Sequence, residues 1–322
     1  MTFLKEYNDF IEKEINAMDL PENPANLYNP LRYFLKLGGK RIRPALTLMA
    51  GKMFGVSVEK TKNAALAVEV FHNFTLIHDD IMDNAPLRRN QKTIHEEWNS
   101  NIAILAGDVL FVKSYEILGK NPDKYLNDLF TIFSKTAREV CEGQQMDMDF
   151  ETRESVDEAD YIEMIRLKTS VLLGCALELG AILGGANEED RKNIYDFGIH
   201  LGIAFQIQDD ILDLFGSPEK VGKQPGGDVI CNKKTLLSIT ATNLAKTSED
   251  LEKIQQLGKE TDLELKVNDT RNLYTQLGVR KSCEDKKEFH YHQAIAALNK
   301  IPEEFGKDEL MNLAHNLFDR EY

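Results

Sequence analysis

Two short acidic runs lie 130 residues apart in otherwise apolar sequence. The first, Asp-Asp-Ile-Met-Asp, covers residues 79–83, and the second, Asp-Asp-Ile-Leu-Asp, covers residues 209–213. In a helix, residues four apart share one face, so Asp79 lies beside Asp83 and Asp209 lies beside Asp213. Carboxylates in an apolar setting need a counter-charge, and neither run has Lys or Arg within four residues. We therefore predict that both runs bind Mg²⁺, which bridges protein carboxylates to substrate phosphate.

Cationic residues stand where a phosphate would need them. Lys40 and Arg43 follow a Gly-Gly pair at the expected start of a helix, where backbone N–H groups and the helix dipole favour an anion. Lys168-Thr169 interrupts an otherwise apolar helix. A basic loop follows each acidic run, and these loops carry Arg88 and Arg89, and then Lys223 and Lys233. The pattern predicts a site that holds Mg²⁺ and diphosphate together.

Helical periodicity dominates the chain, and strand alternation is nearly absent. Helices are expected at about residues 3–18, 44–54, 59–82, 101–119, 123–149, 157–184 and 188–215, and more follow after residue 233. The first acidic run ends the 59–82 helix, and the second lies in the 188–215 helix. No linker is long enough to divide the chain. We expect one all-α domain over residues 1–322.

Composition narrows the functional class. Of 322 residues, 42% are hydrophobic and 29% are charged, and the net charge of −14 argues against nucleic acid as a partner. The four cysteines are far apart and predict reduced thiols in a cytoplasmic protein. The N-terminal residues have no signal-peptide core. The apolar run at 171–186 contains Glu178 and several glycines, which predicts a buried helix and no transmembrane segment.

Several motifs together resemble the trans-polyprenyl diphosphate synthase family. They are Gly-Gly-Lys-Arg-Ile-Arg-Pro at 38–44, the two acidic runs with their basic loops, Gly107-Asp108, Lys168-Thr169 and Phe-Gln-Ile-Gln at 205–208, in consistent order over about residues 30–240. The resemblance implies the isoprenoid synthase type I fold, a helical bundle around a deep central cavity with both acidic runs near its mouth, and a homodimer. It implies Mg²⁺-dependent ionisation, condensation and elimination, joining isopentenyl diphosphate to an allylic diphosphate (dimethylallyl, geranyl or farnesyl).

The same resemblance implies a role for each motif residue. Three Mg²⁺ ions would bind at Asp79, Asp83, Asp209 and, through water, Asp213. The allylic diphosphate would be contacted by Arg88, Lys168, Lys223 and Lys233. Isopentenyl diphosphate would be held by Lys40, Arg43, His72 and Arg89. Thr169 and Gln206 would line the path of the developing carbocation, so that Lys168, Thr169 and Gln206 are the expected catalytic residues.

Product length is expected to depend on the helix that carries the first acidic run. Phe74 and Phe71 lie five and eight residues before Asp79, about 7.5 and 12 Å along the helix axis. Thr75, four residues before, is small. In the family, this combination resembles enzymes that make the C20 product, geranylgeranyl diphosphate. Farnesyl diphosphate, the C15 product, is the alternative.

Functions of other classes remain open at this stage. His78-Asp79 forms a His-Asp pair like that of HD-type phosphohydrolases, although that fold needs further histidines at metal spacing. A non-catalytic synthase-like subunit typically loses one acidic run, whereas this chain keeps both. Terpene cyclases share one such run but have no need of Lys40 and Arg43.

Overall fold

The computed structural model describes residues 2–216 and 226–318, and their regular structure is helical apart from one small hairpin. The all-α prediction is confirmed. The helices up to the second acidic run are α1 (Thr2–Asn16), α2 (Ala25–Leu35), α3 (Ile42–Met53), α4 (Val58–Met82), α5 (Ile94–Glu97), α6 (Ser100–Leu118), α7 (Asp123–Thr152), α8 (Glu158–Ile165), α9 (Val171–Gly184) and α10 (Glu188–Phe215). Later helices are Gly227–Ile230, Leu236–Leu244, Ser248–Gly258, Leu263–Leu277, Val279–Asn299 and Asp308–Phe318, with a 3₁₀ turn at Glu303–Phe305.

Backbone contacts group the chain into two compact units. The first unit comprises Met1–Ser134, Cys175–Lys192 and Glu304–Glu309, and the second comprises Lys135–Gly174, Asn193–Glu303 and Leu310–Tyr322. The first acidic run belongs to the first unit and the second run to the second unit. The expected single domain over residues 1–322 stays a prediction.

In the first unit, α4 packs against α3 and α6 and forms the centre of the core. Its buried face includes Ala64, Val68 and Phe71. Gly107 of α6 allows the close approach to α4, because a Cβ at this position would overlap the His78 ring. The packing therefore fixes the end of α4, where the first acidic run lies.

In the second unit, the helix expected at 157–184 contains a change of geometry. Residues Arg166–Ser170 form a π-helix between α8 and α9. Two glycines make room for this wider turn: Gly143 of α7 lies against its backbone, and Gly202 of α10 lies against Ser170. Such π-turns occur frequently at functional sites, and this one carries Lys168 and Thr169.

The apolar run at 171–186 forms α9, and its side chains are buried, as predicted. Among the described residues, one helical stretch, Glu158–Gly184, has the length and composition of a membrane span. In its most apolar window, 78% of the residues are buried inside the protein, as in the core helix of a globular fold.

Candidate active site

The first acidic run lies at the end of α4, and its three aspartates have different environments. Asp79 is half-buried and Asp83 is exposed, whereas Asp80 is only 1% exposed. Arg88 binds Asp80 on both oxygens, with Nε at 2.9 and 2.8 Å and Nη2 at 2.8 Å. Burial still raises the pKa of Asp80, although Arg88 opposes that shift. The sequence predicts that a metal ion supplies the positive charge near this run. For the middle aspartate, Asp80, Arg88 supplies that charge instead.

A tight hairpin places the two arginines that follow this run. Leu87–Arg88 pairs with Gln91–Lys92, and both loop residues, Arg89 and Asn90, have positive φ, as two-residue hairpin loops require. The Arg89 guanidinium lies against Gly39, where an added Cβ would be 2.8 Å from Nη2. Since Gly39 also has φ +154°, this position needs glycine. Arg89 is therefore held beside the Gly-Gly pair that precedes Lys40.

His72 and Arg43 form a polar contact beside further arginines. Arg43 Nη1 lies 3.1 Å from His72 Nε2, and because arginine only donates, this histidine nitrogen accepts. Burial, followed by the charges of Arg43 and Arg89, holds the pKa of His72 well below its usual range. The buried Arg43 Nε has no hydrogen-bond partner among the described residues. A neutral histidine and an unsatisfied guanidinium N–H match the phosphate site predicted here.

Arg41 is a structural residue of this motif that sequence reasoning missed. Its side chain is buried and its backbone has a positive φ, in the left-handed region. The guanidinium donates to Glu12 at 2.8 Å and forms an ion pair with the buried carboxylate of Glu69. Asn73 donates to the same Glu69 carboxylate at 2.9 Å. The signal was present in the sequence, since Glu69 sits in an apolar stretch of α4 and needs a buried partner. Arg41 fixes the turn that presents Lys40 and Arg43.

Aromatic rings lie along α4 below the first run. Phe71 is buried, and Phe74 contacts it with ring centroids 5.4 Å apart. From α6, Phe111 contacts Phe74 at 5.1 Å and Tyr115 at 5.3 Å. Sequence reasoning named Phe71, Phe74 and Thr75 but missed the two α6 rings, since their pairing with α4 is not local in sequence. Thr75 is half-buried and donates to the His72 carbonyl at 2.9 Å.

His78 has a structural role. Its Nε2 lies 3.1 Å from the Ile104 carbonyl oxygen, and its ring occupies the space left by Gly107. In the parts of the chain that the structure describes, no group of three or more His, Cys, Asp or Glu is arranged to hold a metal alone. The histidine-rich metal centre that an HD-type phosphohydrolase needs is not found there.

The second acidic run lies near the end of α10, and hydrogen bonds satisfy its middle aspartate. Asp210 is 4% exposed and accepts from the Tyr161 hydroxyl, the Leu236 N–H at 3.3 Å and the Gln206 amide at 3.5 Å. Burial raises the pKa of Asp210 to about 7, because these neutral donors offset only part of the desolvation. Sequence reasoning missed Tyr161, which lies on α8, 49 residues away.

Asp213 lies at the turn that follows the second run. Its carboxylate accepts the Asp228 N–H at 3.0 Å, and its backbone carbonyl accepts the Gly226 N–H at 2.6 Å. Asp213, Asp228 and exposed Lys233 line a cleft of about 460 Å³ in the second unit. Lys223 lies outside the described residues.

The π-helix carries two of the three residues expected to be catalytic, Lys168 and Thr169, and Thr169 contacts the third. Thr169 Oγ1 donates to Gln206 Oε1 at 3.4 Å, and the Gln206 amide reaches Asp210. Lys168 Nζ forms an ion pair with Asp147 of α7 at 2.5 Å. Asp147 was not predicted from the sequence as a site residue, and its contact with Lys168 adds it to the candidate site.

The acidic runs fit Mg²⁺ as ligand sets. Mg²⁺ is commonly bound by one or two carboxylates together with substrate phosphate oxygens and water, rather than by an all-protein cage. Asp79 with Asp83, and Asp209 with Asp213, each supply two carboxylates one helical turn apart. Because no larger ligand group occurs among the described residues, substrate phosphate would complete the coordination.

Comparisons with known proteins show the family to which this chain belongs. The family model described as polyprenyl synthetase matches residues 24–274. The chain is 38% identical to geranylgeranyl pyrophosphate synthase of Geoglobus acetivorans, covering 99% of this chain and 98% of the relative. It is 36% identical to geranylfarnesyl diphosphate synthase of Natronomonas pharaonis over 74% and 75% of the two chains. A crystal structure of a geranylgeranyl pyrophosphate synthase superposes with a TM-score of 0.92 at 42% identity, covering 99% of each chain.

Proposed function

Because this chain belongs to the polyprenyl synthetase family, we propose that it joins isopentenyl diphosphate to an allylic diphosphate and makes geranylgeranyl diphosphate. It is a prenyltransferase with the polyprenyl synthase fold. The observation that carries the proposal is that both acidic runs are retained, each with its middle aspartate fixed by the protein. The outer aspartates would then be the ligands.

The first unit would bind isopentenyl diphosphate. Lys40, Arg43 and Arg89 carry the positive charge, and neutral His72 lies beside Arg43. The unsatisfied Arg43 N–H gains an acceptor when phosphate binds, which contributes to affinity. Arg41 does not touch the ligand in this proposal but holds the turn.

The outer aspartates and the cations near them would bind the allylic diphosphate. Three Mg²⁺ ions, when bound through Asp79, Asp83, Asp209 and Asp213, would stabilise the negative charge that develops on the leaving diphosphate. Arg88, Lys168, Lys223 and Lys233 are the cations proposed to contact that group. Lys168 is pre-positioned by Asp147 and the π-helix.

Carbon–carbon bond formation follows loss of the diphosphate. The C–O bond breaks with its electron pair on the leaving oxygen, the alkene of isopentenyl diphosphate attacks the allylic carbon, and a proton is then lost. Thr169 and Gln206, whose side chains contact each other, would present hydroxyl and amide dipoles, which are poor nucleophiles, along the carbocation path. The released diphosphate is the proposed proton acceptor.

We propose that the aromatic rings on α4 and α6 limit the length of the product, and relatives named geranylgeranyl pyrophosphate synthase favour C20. A tail that extends from Asp79 along α4 meets Phe74 after about 7.5 Å, and Phe71 and Phe111 back that ring. Three packed rings form a stiffer barrier than one. The C15 product remains the alternative, and relatives named for both C20 and C25 products make direct sizing necessary.

We also propose a cytoplasmic homodimer. On α6, Ile104, Leu105 and Val112 are 43%, 56% and 56% exposed. Exposed apolar residues grouped on one helix mark a protein interface more often than a solvated face. None of the four cysteines forms a disulfide within the described part of the chain, which agrees with a reducing compartment.

One assay tests the function. The purified protein is incubated with Mg²⁺, isopentenyl diphosphate and each of the C5, C10 and C15 allylic primers, and the products are dephosphorylated and sized by chromatography. A C20 alcohol from all three primers supports the proposal, and EDTA abolishes it. Product stopping at C15 selects the farnesyl alternative. Absence of any prenyl product, with the protein folded, favours the non-catalytic subunit.

A further inference from the structure

Gln144 of α7 is a buried amide that the fold does not satisfy. It is 8% exposed, and neither its Oε1 nor its Nε2 has a hydrogen-bond partner within the described residues. Its neighbour Gln145 is exposed and donates to Asp149 at 2.8 Å. Buried polar side chains are nearly always paired, so an amide with both ends unsatisfied calls for an explanation.

The position of Gln144 points to a ligand. The preceding residue, Gly143, lies against the backbone of Leu167 and Lys168 in the π-helix, where an added Cβ would overlap. Three residues later, Asp147 forms the 2.5 Å ion pair with Lys168. Residues three apart on a helix are surface neighbours, so the Gln144 side chain lies next to the Lys168–Asp147 pair.

We propose that Gln144 binds the allylic diphosphate beside Lys168, and this inference rests on the proposed function. The Nε2 amide would donate to an oxygen of the leaving diphosphate, and Oε1 would face the allylic carbon. A donor to this oxygen gains strength as the C–O electron pair moves onto the diphosphate. Nε2 then gains an acceptor and Oε1 faces the positive charge that develops on the allylic carbon, so the amide contributes most as the bond breaks.

The test compares Gln144→Leu with the matched control Gln145→Leu. Leucine is apolar and similar in size, so Gln144→Leu removes an unsatisfied group without leaving a large cavity. We expect Gln144→Leu to melt at or above the wild-type temperature while kcat/KM for the allylic substrate falls about tenfold to a hundredfold. The KM for isopentenyl diphosphate should stay within twofold. Gln145→Leu should keep wild-type kinetics.

Two results overturn the inference. One is a Gln144→Leu enzyme with wild-type kcat/KM for the allylic substrate. The other is a loss of activity accompanied by a lower melting temperature, which would mean that Gln144 stabilises the folded protein. Calorimetric titration with Mg²⁺ and inorganic pyrophosphate gives a readout without turnover, and we expect at least tenfold weaker binding by Gln144→Leu. A wild-type protein without prenyl product refutes the proposed function, whereas pyrophosphate binding still tests Gln144.

Discussion

Helices α4 and α10 carry almost the same acidic run, but the protein satisfies the middle aspartates differently. Asp80 is neutralised by charge, through the guanidinium of Arg88. Among the described residues, the donors to Asp210 are all neutral, the Tyr161 hydroxyl being one, and its pKa rises to about 7. One sequence motif therefore lies in two different electrostatic environments. What the runs share is the spacing of the outer aspartates.

The residues that precede the two runs on α4 and α10 differ in type, and the difference indicates two roles for these helices. Seven residues before the run, α4 has His72, which contacts Arg43, whereas α10 has Gly202, which lies against Ser170 of the π-helix. Five residues before, α4 has Phe74 and α10 has Ala204. In the proposed function the first helix would present side chains to ligands, whereas the second gives up side-chain volume and so leaves room for the π-helix that carries Lys168 and Thr169.

The largest predicted effect concerns what the two runs have in common. Asp79→Asn and Asp209→Asn each remove one proposed Mg²⁺ ligand at nearly constant volume. We expect kcat to fall about a thousandfold or more in each variant, with unchanged circular dichroism. Steady-state kinetics across a Mg²⁺ titration is the measurement. Wild-type turnover in either variant would show that one run suffices, and the paired-run mechanism would fail.

A smaller effect is predicted where the helices differ, at Gly202. A Cβ there would lie 2.7 Å from Ser170 Oγ and 2.8 Å from its Cα, so Gly202→Ala should displace the π-helix. Because catalysis is sensitive to displacements of about 1 Å, kcat should fall about tenfold to a hundredfold. The control is Gly258→Ala in helix Ser248–Gly258, whose nearest atom would lie 3.8 Å away. Equal kinetics for the two variants would separate the π-helix from catalysis.

Product length tests the second difference. Phe74→Ala removes the ring that Phe71 and Phe111 support, so a growing tail can pass, and the main product should lengthen by at least one C5 unit. Phe205→Leu changes the aromatic four residues before Asp209 and should leave the product length unchanged. The measurement is chromatographic sizing of the products that the two variants make. An unchanged product from Phe74→Ala means that another residue ends the cavity.

Local patterns were sufficient to predict the helices. Helical periodicity located α4, α6, α7 and α10 to within a few residues, because each buries a continuous apolar face. Thr169 and Gln206 were assigned to one path by the family resemblance, and the structure brings their side chains into contact. The helices depend on the spacing of apolar residues, which the sequence displays directly.

Contacts distant in sequence were not predictable in the same way. Tyr161 satisfies Asp210 from another helix, and Asp147 pairs with Lys168 across 21 residues. No local signal marks either partner, since a tyrosine or an aspartate on a helix is ordinary. The π-helix was missed because its extra residue depends on space left by Gly143 and Gly202, which only the packing reveals.

The smallest predicted effect isolates the electrostatics of Asp210. Its pKa is about 7 in the folded protein against 3.8 for the ordinary value. Between pH 4 and 7, therefore, the folded state keeps a proton that the unfolded state has lost, and stability falls as pH rises. Asp210→Asn has no such proton. In the presence of EDTA, we therefore expect the free energy of unfolding of Asp210→Asn minus that of wild type to increase by about 1 kcal/mol for each pH unit between pH 4 and 7.

Urea denaturation of both proteins at pH 4, 5.5 and 7 measures that difference, and pH 4 serves as the internal reference because Asp210 is then largely protonated in the folded state. Tyr161 can still donate to the amide oxygen of the variant, so the contact from α8 is retained. A difference that does not change with pH would mean that Asp210 is ionised in the folded protein across this range. Asp210 would then need a cation, as Asp80 does. Mg²⁺, and not Tyr161, would neutralise Asp210 in the way that Arg88 neutralises Asp80.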